Sequence, residues 1–172
     1  MTPRLRLALD ENFPTPLVAA LREYIREVDL VPVREIDTRL TGLDDWQLLL
    51  ALHLRRPAWA GMVTADAQML SLPREVCVLK QTGLALVVAE SAGRDPLIAT
   101  GVLLAALPRV AERLRERPGG IFRLRPPQAA RETADDLLGS IAKHRNTNAR
   151  ALYRAHKLTK VDLARDVFGP NS

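Results

Sequence analysis

The sequence has few of the residues on which common enzyme classes depend. Its single cysteine, Cys77, cannot form an internal disulfide, and it lies in an apolar run where a small buried residue of a cytosolic protein is expected. The three histidines have no metal-ligand spacing, and no Ser-His-Asp arrangement can be assembled. The glycines are too scattered for a P-loop or a dinucleotide-binding loop. These absences argue against histidine-based metal sites, serine-hydrolase chemistry and glycine-rich phosphate cradles.

Aromatic residues and long apolar runs are also scarce. Aromatic side chains make up 4% of the chain, so base stacking on an aromatic surface is not expected, and Trp46 and Trp59 are predicted to be core anchors. No apolar run approaches the roughly 20 residues that a membrane span requires. The first residues lead into a predicted strand without a secretory apolar segment. We therefore expect a cytoplasmic protein with no membrane association.

The charge balance favours an anionic partner. The 172 residues include 25 basic and 20 acidic side chains, a net charge of +5, and the pI is near 10. Nucleic acid is the commonest partner of such a chain. Apolar residues make up 47%, enough to form a hydrophobic core.

Short apolar runs alternate with helical patterns over residues 1–126. This order predicts an α/β domain of three layers around a central, mostly parallel sheet. The predicted strands cover residues 5–9, 29–33, 60–64, 75–79, 84–88 and 121–124. Helices are predicted over 15–26, 41–54 and 96–116, the last kinked or split at Pro108, and residues 34–42 are predicted to be a loop.

The composition changes in residues 127–172. Eight basic residues stand against five acidic ones, and two polar helices are predicted over 130–144 and 149–167. Their apolar residues are too sparse to form a core of their own. We expect this basic helical tail to dock on the main domain, on a second copy or on a partner, or else to stay mobile.

Several carboxylates stand where predicted elements begin or end. The first strand stops at Asp10 and Glu11, and Asp66 follows the strand 60–64. The carboxyl ends of parallel strands meet at one edge of a sheet, so Asp10 and Asp66 are expected close together if their strands are neighbours. Such a group is typical of sites for Mg²⁺ or a similar hard cation.

Asp44 and Asp45 open the second predicted helix. One of them is expected to point to the same edge while the other complements the helix dipole, and the spacing does not say which. Thr41 and Asp44 are spaced like a capping box. Each acid also has an ordinary alternative role, in a turn or at a helix start.

This ordered set of residues resembles the PIN-like superfamily, and within it the VapC-like toxin group. The resemblance covers about residues 4–125. It is carried by Asp10-Glu11-Asn12, Thr41-Gly42-Leu43-Asp44-Asp45-Trp46, Val63-Thr64-Ala65-Asp66-Ala67-Gln68-Met69-Leu70 and Gly93-Arg94-Asp95-Pro96.

The resemblance implies a metal-dependent endoribonuclease, frequently the toxin of a toxin–antitoxin pair. It implies Mg²⁺ or Mn²⁺ as cofactor, RNA as substrate, an antitoxin protein as a partner, and a homodimer. Asp10 and Asp66 would be metal ligands. One of Asp44 and Asp45 would be the third ligand, and we assign that place to Asp45. Glu11 would orient a water or a ligand.

One departure from the family pattern keeps other functions open. Gln68 stands where related sequences often carry a further acid, which would weaken a second metal site. A PIN-like module that has lost catalysis and serves binding or assembly is therefore an alternative. A receiver-like signalling domain is a weaker one, because Lys80 follows Asp66 too closely to come after two more strands.

Overall fold

A six-stranded sheet forms the centre of the computed structural model, which describes residues 4–11, 13, 15–90, 95–125 and 128–169. The strand order is β2-β1-β3-β4-β5-β6; the first five strands are parallel and β6 is antiparallel to β5. The strands are β1 (Leu5–Leu9), β2 (Val28–Pro32), β3 (Gly61–Thr64), β4 (Ala85–Val88), β5 (Gly120–Arg125) and β6 (Gln128–Glu132). The predicted three-layer α/β fold with a mostly parallel sheet is confirmed.

Helices cover both faces of this sheet. They are α1 (Thr15–Tyr24), α2 (Val33–Ile36), α3 (Asp45–Leu54), α4 (Pro73–Thr82), α5 (Pro96–Glu116), α6 (Ala134–His144), α7 (Ala149–His156) and α8 (Lys160–Ala164), with 3₁₀ turns at Thr38–Leu40 and Ala67–Ser71. No helix in the described part of the chain is long and apolar enough to cross a membrane.

Two hydrophobic clusters lie on opposite faces of the sheet. Strand β1 illustrates the division, because Leu7 and Leu9 point into one cluster and Ala8 into the other. The first cluster contains the inner faces of α1 and α5, and the second those of α3 and α4. The parallel strands therefore have both faces buried, which explains why they read as nearly continuous apolar runs.

The prediction of a strand over residues 75–79 is wrong, since this run belongs to helix α4. Pro73 lies in the first turn of α4, where its missing N–H costs no hydrogen bond, and Gly83 ends the helix with a left-handed φ of +69°. A short, fully buried apolar run has the same appearance in a strand and in a helix. The flanking proline and glycine were the informative signals.

Two other local predictions also need correction. Residues 34–42 were predicted to be a loop, but α2 and the turn Thr38–Leu40 occupy most of that stretch. Asp37 caps the turn by accepting from the Arg39 N–H at 3.0 Å. Of the kink or split predicted at Pro108, the split is excluded, because α5 runs as one helix from Pro96 to Glu116.

The C-terminal segment docks on the main domain. Its first residues form β6, against the prediction of a helix beginning at 130, and thereby extend the sheet beyond β5. Helices α6 and α7 then pack on α4, and Lys80 of α4 pairs with Asp135 of α6. Leu138 and Leu152 are buried in the same cluster as α3 and α4, so the segment shares that core.

Candidate functional site

Asp10 and Asp66 lie at the carboxyl ends of the neighbouring strands β1 and β3. The buried Thr64 joins them: its hydroxyl donates to Asp10 Oδ2 at 2.8 Å and accepts from the Asp66 N–H at 2.9 Å. The Asp10 N–H donates to the Val63 carbonyl at 2.9 Å, which continues the ladder between the two strands. The pairing of β1 with β3 thus brings together two acids that are 56 positions apart (66 − 10).

Backbone donors orient both carboxylates. Asp10 Oδ1 accepts from the Glu11 N–H at 2.7 Å, and Asp66 Oδ1 accepts from the Gln68 N–H at 2.8 Å. Both side chains are half-buried, whereas Glu11 and Gln68 are exposed. Asn12, the third residue of the first motif, lies outside the described residues.

Asp44 and Asp45 occupy different positions at the start of α3. Asp44 is exposed and takes the N-cap position, where its N–H donates to Gln47 Oε1 at 3.1 Å. The capping partner is therefore Gln47, and the predicted pairing of Thr41 with Asp44 is wrong. Asp45 is half-buried in the first turn of α3.

Burial and nearby negative charge act together on Asp45. Burial, followed by the charges of Asp10, Glu75, Asp66 and Asp44, raises the pKa of Asp45 to about 6. No neighbouring cation lowers that pKa, and Asp45, Asp66 and Glu75 form no ion pair with a described residue. These carboxylates therefore act on one another electrostatically. In the described structure, no ion pair neutralises Asp45, Asp66 or Glu75.

Glu75 is a member of this group that the sequence did not reveal. It lies in the first turn of α4 with 8% of its surface exposed, and its charge is the second largest electrostatic contribution at Asp45. The incorrect strand over 75–79 hid it, because only a helix starting near Pro73 directs its first turn to the carboxyl edge of the sheet. Proline at the first helical position was the signal that could have found it.

The donor set suits a hard divalent cation. Asp10, Asp45 and Asp66 offer only carboxylate oxygens, the ligands that Mg²⁺ prefers in proteins. Within the described ranges, however, no three histidine, cysteine, aspartate or glutamate side chains already stand as a metal-ligand set. The chemistry of the donors nevertheless fits the cation.

Arginines lie farther along the same edge of the sheet, at the end of β5. Arg125 is 61% exposed and pairs with Glu90, which follows β4, at 2.8 Å. Arg123 lies 3.1 Å from Glu90 and 3.0 Å from Glu132. The carboxyl edge therefore changes from acidic at β1 and β3 to partly basic at β5.

Comparisons with known proteins give no relative from which a function could be transferred. A scan against protein-family models, a search of curated proteins and a search of solved structures each found no match to this chain. The candidate site therefore stands on its own residues.

Replacing Asp45 with asparagine is expected to stabilise the protein at neutral pH. The folded-state pKa of about 6 lies above the ordinary aspartate value, so the charged form of Asp45 costs stability above pH 6, and this cost vanishes as pH falls toward 4. After discounting for its partial exposure, the gain should be about 1 kcal/mol, or roughly 2–4 °C in melting temperature, at pH 7.5 without divalent ions.

The matched control is Asp44→Asn, which changes the adjacent, exposed carboxylate. Thermal unfolding of both variants would be followed from pH 4 to 8 in EDTA. Asp45→Asn should separate from the wild type only above about pH 5. Asp44→Asn removes the smallest of the four charge contributions at Asp45 and should stay close to the wild-type pH profile. A gain for Asp45→Asn that is equally large at pH 4 would show that it does not come from the ionisation of Asp45.

Proposed function

We propose that this protein is a metal-dependent endoribonuclease whose carboxylates hold Mg²⁺ or Mn²⁺. The observation that carries the proposal is the meeting of carboxylates at one edge of the sheet. Asp10 and Asp66 share hydrogen bonds with Thr64, and burial, followed by the charges of four neighbouring carboxylates, raises the pKa of Asp45 to about 6. Burying like charges together costs stability, and strongly perturbed groups of this kind cluster at functional sites. A bound divalent cation would offset this negative charge.

Asp10, Asp45 and Asp66 are the residues proposed to hold the ion. Thr64 would keep Asp10 and Asp66 in register through its hydroxyl, which bonds to both. When bound, the ion would activate water and offset negative charge that develops on the phosphodiester. Asp45 must be ionised to bind, so ion affinity should rise as pH passes through about 6.

Other residues have supporting roles in this proposal. Glu11 is exposed beside Asp10 and would orient a water or the substrate. Glu75 is buried behind Asp45 and would strengthen the negative potential that attracts the cation. Arg125 would contact the RNA backbone, because its guanidinium is exposed on the same edge and phosphate contacts supply most non-specific affinity.

The biological setting is proposed from the resemblance to VapC-like proteins. That resemblance favours the toxin of a toxin–antitoxin pair, acting in the cytoplasm as a homodimer and restrained by an antitoxin. The net charge of +5 is compatible with RNA as the substrate.

Sheet topology does not separate the nuclease from a receiver-like domain. The order β2-β1-β3-β4-β5 is also that of flavodoxin-like folds. The residues favour the nuclease, because a receiver-like site requires a lysine beyond a late strand and β5 carries Arg123 and Arg125 instead. Lys80 lies in α4, before β4, where it cannot serve that role.

The proposal is tested by incubating the full-length protein with a single-stranded RNA of mixed sequence. Cleavage is expected with Mn²⁺ or Mg²⁺, none with EDTA, and recovery when the ion is restored in excess. Calorimetry would measure Mn²⁺ binding to the same sample. Ion binding without cleavage of any RNA would favour the binding or assembly module, and absence of both would overturn the proposed metal site.

A further inference from the structure

We propose that a cavity between α3 and the C-terminal segment binds one nucleobase of the RNA, so that residues 158–167 help the proposed nuclease to hold its substrate. This inference rests on the function proposed above. The cavity has a volume of about 150 Å³, and on the α3 side it is lined by Trp46, Gln47 and Leu50. A space of this size suits a single planar ring system, since sites for drug-sized ligands occupy roughly 300–1,000 Å³.

The cavity lies at the end of α3 that carries Asp45. Trp46 follows Asp45 in the first turn of α3 and lines the cavity, whereas none of the proposed metal ligands lines it. A base held there would lie at the same end of α3 as the proposed cleavage site. Trp46, expected to be a core anchor, packs against the core but is only partly buried. Trp59 is more fully buried, with 7% of its surface exposed.

The ring of Trp46 is suited to stacking. The Arg74 guanidinium carbon lies 5.2 Å from the ring centroid, within cation–π range. Nucleobases stack on aromatic rings with little dependence on sequence, and arginine adds to such contacts. Arg74 does not itself line the cavity, so its contact supports the Trp46 ring and stacking is left to Trp46.

The C-terminal wall of the cavity is fixed to the main domain. It consists of Leu158, Asp162, Arg165 and Val167. Gln81 of α4 holds Leu158 with two hydrogen bonds: its Nε2 donates to the Leu158 carbonyl and its Oε1 accepts from the Leu158 N–H, each at 3.0 Å. The wall is therefore part of the folded structure and the cavity is preformed, which reduces the ordering cost of binding.

Two polar groups on opposite walls give a hydrogen-bonding pattern. Asp162 accepts from the Thr159 N–H and hydroxyl through Oδ2 only, which leaves Oδ1 without a hydrogen bond from any described residue. Gln47 uses Oε1 at the α3 cap, and its Nε2 donates to no described group. An acceptor and a donor together complement a base edge on which a donor lies beside an acceptor, an arrangement that adenine, cytosine and uracil all carry.

The test uses the full-length protein labelled with ¹⁵N-tryptophan, which gives two indole signals. Adenosine, cytidine and uridine would be titrated in EDTA, so neither cleavage nor a metal ion is involved. We expect the Trp46 signal to shift saturably with each nucleoside, while the buried Trp59 signal stays in place. Trp59→Phe assigns the two signals.

Asp162→Asn is expected to weaken nucleoside binding about five-fold, because the acceptor that remains is no longer charged. The matched control is Asp136→Asn, because Asp136 makes the same capping contacts with Thr133 at the start of α6 but does not line the cavity. The inference would be overturned if the Trp46 signal did not shift at the highest soluble concentration of the nucleosides. It would also be overturned if Asp162→Asn and Asp136→Asn had equal effects on binding. If the protein bound nucleosides but cleaved no RNA, only the proposed nuclease function would be rejected.

Discussion

Asp66→Asn should reduce metal-dependent RNA cleavage by at least about 100-fold while leaving the fold intact. Asparagine keeps an oxygen that can accept from the Gln68 N–H, so the start of the turn Ala67–Ser71 should survive. It removes the negative charge that the proposed cation requires. Asp10→Asn should have an effect of similar size, because Asp10 shares Thr64 with Asp66. Initial cleavage rates in saturating Mn²⁺ measure both effects.

Asp29→Asn is the matched control for these two variants. Asp29 is partly exposed in β2, and its contact with Arg6 spans 3.5 Å, too long to contribute much stability. In the pairing of β1 with β2, Asp29 lies opposite Arg6, near the amino end of β1 and away from the proposed site. Cleavage by Asp10→Asn and Asp66→Asn at the rate of Asp29→Asn would remove both residues from the mechanism, even if the protein proved to be a nuclease.

Gly61→Ala should lower the free energy of unfolding by about 2–4 kcal/mol, the largest stability loss expected from adding one methyl group. A Cβ at Gly61 would lie 2.7 Å from the Ala85 carbonyl carbon and 2.8 Å from the Ala85 Cβ, and closer still to the carbonyl oxygen. These atoms belong to the adjacent strand β4, in register with Gly61. The backbone of a central strand would have to move, because no flexible side chain can give way.

Gly139→Ala is the control with the opposite expected sign. Gly139 lies inside α6, and an added Cβ there meets nothing within 4 Å. Alanine should stabilise the helix by roughly 0.5–1 kcal/mol. Urea unfolding measures both variants. Equal stability of Gly61→Ala and the wild type would show that β3 and β4 adapt more freely than their close packing implies.

The sequence predicted the fold where burial leaves a distinct pattern. Continuous apolar runs predicted β1, β3 and β4, because both faces of those strands are buried. The same logic failed for Val76–Leu79, since α4 is also buried and its apolar run carries no period. It failed again for β6, whose sequence Gln128–Glu132 is polar and becomes a strand only by pairing with β5.

The candidate site was predictable where it depends on strand ends. Asp10 and Asp66 could be placed together because the ends of adjacent parallel strands share one edge. Glu75 could not, because its position depends on where α4 begins. The sequence also could not distinguish Asp44 from Asp45, since the difference between them depends on which way the first turn of α3 faces.

The two outermost strands have consequences for how copies of this chain associate. At one side of the sheet β2 carries Asp29 and ends at Pro32, which has no N–H to donate; at the other, β6 carries Arg131 and Glu132. Charge and proline both discourage strand addition from a second chain. Fibril growth by edge-to-edge joining should therefore be slow, and a dimer would more readily use helical surfaces.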